Sequence, residues 1–244
     1  CLCSIPVEGV GTKLDRGRDQ APLGINPKVA IVSLVNWMKK HGYTEKDYDF
    51  YDIDMLYPTD MEVENYFKTL NPLGDGPTVV GLSAVVSTSY QQAKRIARIV
   101  RSIYPDAWIV LGGVLAAVSE MVIKKTEVDL CIVGDGEIAW VKFLDYVKDF
   151  NTNKDWNYER LLKIKGICFI NGKDELILND FGESIPSDEM VYPDYELLKR
   201  GLKNHPEMIQ NYFAPAIRSG WFSFDPRAYE PDRKPMLGGV FVTK

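Results

Sequence analysis

The stretch TVVGLSAVVSTSYQQAKRIARIVRSIYPDAWIVLGG, residues 78–113, decides how the chain is read. Residues 78–86 are largely apolar and β-branched, the composition of a strand covered on both faces. Residues 90–104 place Ala93, Ile96, Ala97, Val100 and Ile103 on one stripe, which predicts an amphipathic helix. A second apolar run, 108–111, follows and ends in Gly112-Gly113. A strand, a helix and another strand in so short a span form a crossover unit, which makes the two strands parallel.

The same alternation extends in both directions. Toward the amino end, residues 49–55 set Phe50, Tyr51, Ile53 and Met55 among aspartates and read as a second strand, followed by a short helix over 61–70. Residues 26–40 read as a helix with Pro27 in its first turn and Gly42 just past its end. Before it lie a glycine-rich loop, 8–24, and a first strand, 1–5, that stops at Pro6. Toward the carboxyl end come a helix near 118–125, a fifth strand over 130–133 ending in Gly134-Asp135-Gly136-Glu137, and an amphipathic helix over 138–150. Residues 1–150 thus predict an α/β fold: a flavodoxin-like (Rossmann-type) five-stranded parallel sheet with helices on both faces. With the strand order 2-1-3-4-5, ligands bind at the carboxyl ends of the strands, near the switch point between strands one and three. Beyond residue 150 the character changes. Residues 166–170 and 175–179 read as a hairpin turning at Asn171-Gly172-Lys173-Asp174, then a proline-punctuated linker follows, so 151–202 form a hairpin-and-linker extension. Residues 203–244 are a tail rich in aromatics and prolines.

Composition narrows the function. The chain has 244 residues, 45% hydrophobic and 26% charged, an ordinary globular balance that buries a core without staples. A net charge of −5 argues against a nucleic-acid module. The basic residues Lys94, Arg95, Arg98 and Arg101 sit at helical spacing and read as a solvated face. Cys1, Cys3, Cys131 and Cys168 lie in apolar strand-like runs without metal-ligand spacing, so they read as small hydrophobes in a reducing, cytoplasmic protein, and no metal site is assigned. No apolar run of about 18 residues marks a membrane span. His41 and His205 are the two histidines, and they support no Ser–His–Asp arrangement, so no catalytic residue is assigned. Neither a G-x-G-x-x-G opening the first helix nor a phosphate-cradling hydroxyl run after strand one is present.

Three loops at strand ends carry the binding chemistry. Ser83-Ala84-Val85-Val86-Ser87-Thr88-Ser89 offers small hydroxyls that either bond a ligand edge or cap the next helix. Gly112-Gly113 lets a bulky group lie on bare backbone, or makes a tight turn. Gly134-Asp135-Gly136-Glu137 is either a third ligand loop or a turn with a helix start. In spacing these loops resemble those of the cobalamin-binding domains of methionine synthase, cobalamin-dependent mutases and many radical S-adenosylmethionine enzymes. There an S-x-L motif precedes a G-G pair by one helix and one strand. Here Ser83-Ala84-Val85 stands for S-x-L, with valine in place of leucine, and Gly112-Gly113 for the pair. Residues 133–137 resemble the V-G-E-G-E segment of the radical-enzyme branch, with Asp135 replacing its first glutamate. Ala21-Pro22-Leu23-Gly24, His41-Gly42-Tyr43 and the run from Ile185-Pro186 to Tyr192-Pro193-Asp194-Tyr195-Glu196-Leu197-Leu198 are similar to that branch's helix entry, helix exit and linker.

The resemblance implies cobalamin bound by Pro6, Ser83, Ala84, Val85, Ser87, Thr88, Gly112, Gly113, Gly134, Gly136 and Glu137, with its nucleotide tail running down between strands. The loop after Pro6 holds no histidine in place of the D-x-H-x-x-G motif, so the implied state is histidine-off. The chain opens on CLCSIP without a methionine and closes on VFVTK, which looks like the first strand of a radical barrel. It therefore reads as a fragment whose partner is a missing C-terminal barrel. S-adenosylmethionine and a [4Fe-4S] cluster belong to that barrel, and no catalysis is expected from this chain alone. The parent reaction is methyl transfer, with methyltransferase first, or a radical rearrangement or cyclisation. Two other readings stay open: a degenerate domain that scaffolds without cofactor, and a flavin binder on the same fold.

Overall fold

The computed structural model describes residues 1–6, 28–70, 78–85, 87–149, 156–191 and 194–213. The 8–24 loop, the Pro-Leu-Gly entry, Val86, Tyr192-Pro193 and the tail from 214 onward lie outside them. In chain order the elements are β1 (Leu2–Ser4), α1 (Val29–Lys40), β2 (Phe50–Tyr51), α2 (Ile53–Leu56), α3 (Asp60–Thr69), β3 (Val79–Ser83) and α4 (Tyr90–Ile103). There follow β4 (Trp108–Gly112), α5 (Ser119–Lys125), β5 (Leu130–Ile132), α6 (Glu137–Lys148), α7 (Tyr158–Leu161), β6 (Ile167–Ile170), β7 (Leu176–Leu178) and α8 (Glu196–Gly201).

The sheet order is β2-β1-β3-β4-β5-β6-β7, with the first five strands parallel as expected. The switch point falls between β1 and β3. Register divides the side chains between two faces. Leu2, Gly81, Val110 and Leu130 align across the sheet on one face, and Cys3, Leu82, Leu111 and Cys131 on the other. The first face is covered by α1 and α6, where Trp108 packs edge-on against Phe143 and Tyr146. The second is covered by α3, α4 and α5, with Ile96, Ala97 and Val100 of α4 fully buried. Among the described residues, no helix is long and apolar enough to cross a membrane.

Four local features depart from the sequence reading. The second strand ends at Tyr51, because the Asp52 carboxylate accepts from the Met55 N–H at 3.0 Å and starts a helical turn. The hairpin adds to the same sheet: β6 pairs antiparallel with β5, and β7 with β6. Two of the basic residues of α4 are anchors rather than solvated. Arg95 pairs with Asp60 and the Pro58 carbonyl, and Arg101 makes two 2.9 Å bonds to Asp129 plus contacts to the carbonyls of Pro105, Ala107 and Glu127. Lastly, the segment after β7 is more than a linker. Gly182 bonds to the Val133 carbonyl, Glu183 pairs with Lys142 of α6, and Glu189 and Asp194 pair with Lys40 and Lys39 of α1. Helix α8 then packs on β2, with the Gly201 carbonyl accepting from Asp52 N–H at 2.9 Å and Arg200 donating to Asp49 at 3.1 Å.

Candidate functional site

The strand tips on the α1/α6 face enclose a cavity of about 190 Å³. It is built where the side chains of the two central strands are smallest. On β3 the residues facing α6 are Gly81 and Ser83, and on β4 the aligned positions are Val110 and Gly112. Trp140 of α6 forms the floor. Its ring lies so close to β3 that a Cβ on Gly81 would stand 2.8 Å from the indole Cη2. The indole N–H points away, toward Met38 Sδ at 3.2 Å. Leu2, Leu34 and Ile132 complete apolar walls.

The mouth differs from the floor in chemistry. Ser83, Gly112, Gly113, Gly134, Gly136 and Glu137 border the cavity. Glu137, the first residue of α6, accepts from the Ser33 hydroxyl of α1 at 2.6 Å, which bridges the two helices across the opening. Asp135 is held by the Ser184 hydroxyl. The two carboxylates are acceptors, suited to hydroxyl or amide N–H donors.

The glycine pairs have distinct duties. At Gly112 a Cβ would meet nothing within 4 Å, so the open space there is available to a ligand. Gly113 has φ 87° and ψ −173°, a conformation open essentially to glycine alone, and a Cβ there would collide with the Ala84 carbonyl oxygen. That close approach ties the β4 loop to the β3 loop: Ala84 N–H donates to Gly112 O at 2.9 Å, and Leu115 N–H to Ala84 O at 3.2 Å. Val85 and Val114, beside this junction, are 54% and 68% exposed and form an apolar collar at the strand tips.

Of the eleven residues singled out from the sequence, six therefore line the cavity. Pro6 is buried at the end of β1 and Ala84 is fully buried, so neither borders it with a side chain. Val85 is exposed at the collar, and Ser87 and Thr88 are exposed in a short 3-10 turn. Among the described residues, helix α4 has no side-chain cap bond and the Ser89 hydroxyl is buried without a partner. Sequence reading missed Gly81, Val110, Ile132 and Trp140. The available signal was the alternation Gly81, Ser83 on β3 opposite Gly112 on β4, small residues on one face of the central strands. His41 closes α1, its Nδ1 2.9 Å from the Trp37 carbonyl oxygen, about 12 Å of helix beyond Ser33 at the mouth.

A second buried group stands at the tips of β1 and β2. Ser4 Oγ donates to Asp52 Oδ1 at 2.5 Å and accepts from Asp54 N–H at 3.2 Å, and Lys28 pairs with Asp54. Among the described residues, Asp52 Oδ2 is buried without a partner. Burial lifts the Asp52 carboxyl above its usual range, against the opposing pull of the Lys28 charge, the Ser4 hydroxyl and the Met55 N–H. Among the described residues, no group of three or more His, Cys, Asp or Glu side chains is placed to hold a metal ion.

Comparison with known proteins agrees with this geometry. The family described as "B12 binding domain" matches residues 23–144, half of the chain and every loop that borders the cavity. The structure of the cobalamin-dependent S-adenosylmethionine radical enzyme OxsB with aqua-cobalamin and S-adenosylmethionine bound is similar with a TM-score of 0.56 at 15% identity, over 83% of this chain and 25% of that one. Its apo, selenomethionine-labelled form gives 0.55 at 17% identity, over 82% of this chain and 24% of that one. This chain thus spans about a quarter of the length of those proteins, and at such identity the likeness speaks for the fold. No curated protein matches the chain significantly. With the family's pattern extending over half of the sequence and over the loops of the cavity, the chain belongs to the family of B12-binding domains.

Proposed function

We propose that the chain binds cobalamin as the cofactor module of a radical S-adenosylmethionine enzyme, the barrel with its cluster being supplied by another part of the polypeptide. The observation that carries this reading is the cavity on the α1/α6 face: apolar at its floor, polar at its mouth, and opening at the strand tips beside bare glycine backbone. An amphipathic tail with a heteroaromatic end fits that gradient, and the exposed Val85 and Val114 suit the apolar face of a corrin. Ser83 and Glu137 would hold the tail's hydroxyl groups, while Gly112, Gly113, Gly134 and Gly136 leave room for the ring to approach the backbone. Ser87 and Thr88 stand exposed at the rim, where they would meet the corrin's amide side chains, and Pro6 and Ala84 would act through backbone placement.

When bound, the cofactor supplies methyl transfer, or a rearrangement or cyclisation, to a substrate held by the barrel. This chain's residues contribute orientation and exclusion of water, and the loop after β1 carries no histidine that could serve cobalt from below, which favours a histidine-off state. Residues 1–150 would be the binding unit, with 151–202 and 203–244 leading toward the barrel.

The test is absorbance titration of the chain with hydroxocobalamin, followed by desalting. Retained corrinoid absorbance is expected. Complete loss on desalting, with the chain folded, would favour the cofactor-free scaffold.

A further inference from the structure

We infer that the floor of the α1/α6 cavity selects the lower base of the cobamide, accepting a benzimidazole and discriminating against a purine; this rests on the cofactor reading above. The floor is apolar and its polar atoms are already spent. The Trp140 indole N–H is given to Met38 Sδ at 3.2 Å. The backbone N–H groups of Leu2 and Gly81 donate to the carbonyls of Asp49 and Cys1, each at 2.8 Å. Val110 presents only hydrocarbon at that depth, and Ile132, level with Gly112, only hydrocarbon above it. The nearest side-chain hydroxyl, that of Ser83, lies one strand repeat above Gly81, about 6.6 Å toward the mouth. The carboxylates of Asp135 and Glu137 are at the mouth itself, held by Ser184 and Ser33.

Size admits a two-ring base, and polarity decides which one. A dry apolar cavity of about 150 Å³ takes a single benzene ring, so the roughly 190 Å³ here, open at its top, suits a two-ring heterocycle. Dimethylbenzimidazole presents one ring nitrogen and otherwise carbon. Adenine presents an exocyclic amine and several ring nitrogens, each of which would lose its water without gaining a partner. A site without polar partners rejects such a group by about 10- to 100-fold.

The experiment measures dissociation constants of the 244-residue chain for three probes: cobalamin, its adenine-bearing analogue, and cobinamide, which lacks the nucleotide tail. Cobalamin is expected to bind at least about tenfold more tightly than the adenine analogue, with cobinamide weaker than cobalamin. Val110→Thr sets a hydroxyl in the wall at floor depth and should narrow the ratio between the two tailed forms. Gly81→Ala displaces Trp140 and Leu2 at the floor and should weaken both tailed forms more than cobinamide. Equal affinity for the two tailed forms, both above cobinamide, overturns the selectivity and leaves the cofactor reading standing. Cobinamide binding as tightly as cobalamin also overturns it, by placing the tail outside the cavity. Binding of none of the three by the folded chain overturns the cofactor reading and the selectivity with it.

Discussion

Gly112 and Gly113 are neighbours in sequence and opposites in what a side chain would do. At Gly112 the backbone is ordinary strand and a Cβ meets nothing within 4 Å, so Gly112→Val adds a strand-favouring residue without an internal clash. Its effect on stability should stay within about 0.5 kcal/mol, or roughly 2 °C in Tm. Its isopropyl group, however, would stand in the mouth of a cavity of only about 190 Å³, and corrinoid retention should fall at least about tenfold. Gly113→Ala reverses the pattern. Holding alanine at φ 87° costs about 1–3 kcal/mol. The Ala84 carbonyl must also move, so a total of about 2–4 kcal/mol and a Tm drop of roughly 5–15 °C are expected. Circular-dichroism melts and desalting after hydroxocobalamin loading, run on both variants and the parent chain, separate the two effects. If Gly112→Val melts as low as Gly113→Ala, or keeps the parent's corrinoid, the assignment of open space at Gly112 to a ligand is wrong.

Other outcomes follow from groups away from that pair. Arg101→Ala breaks a mostly buried pair with Asp129 and frees three carbonyls, and should cost about 2–4 kcal/mol by urea melt, whereas Lys68→Ala, whose partner Glu64 is exposed, should cost less than about 0.5 kcal/mol. Because Asp52 holds its proton more tightly folded than unfolded, the folded state binds the extra proton above the ordinary value of 3.8, and this residue's contribution to stability falls as pH rises through that region. Asp52→Asn should flatten that slope in urea melts at pH 4 and pH 7, and an unchanged slope would assign it elsewhere. Burial pushes the Cys3 and Cys131 thiols up to about 12, so a thiol reagent at neutral pH should leave both unmodified in the native chain and label both in denaturant.

The central sheet was legible because its strands are continuous apolar runs, each followed by a helix with a clear stripe, and the order 2-1-3-4-5 is the usual solution for such a pattern. Most of what escaped the sequence reading depended on partners far away in the chain. The end of the second strand is the local exception: residues 49–55 alternate like a strand, yet Met55 N–H donates to the Asp52 carboxylate and the chain is helical from Ile53. The hairpin was visible from its turn, but its pairing with β5 is a contact that no local pattern encodes. In the site, the hydroxyl and glycine loops were legible as loops. Gly81 read as an ordinary strand residue and Trp140 as an ordinary core aromatic, and only their mutual contact across the sheet face makes a floor. Arg95 and Arg101 looked solvated because charge spacing on a helix is silent about carbonyls and carboxylates on other elements.

The segment after β7 has a mechanical consequence. It leaves the hairpin edge of the sheet, crosses the outside of α6 and α1 through Glu183, Glu189 and Asp194, and ends as α8 on the opposite edge strand, β2. The described parts of this segment, up to Val191 and from Asp194 onward, thus touch both margins of the sheet and both helices that wall the cavity. Each ion pair is half-exposed and weak, so the coupling they give is modest and rests chiefly on α8 packed against β2. Filling the cavity should therefore slow hydrogen exchange at α6 and, to a smaller extent, at Phe50 and Tyr51.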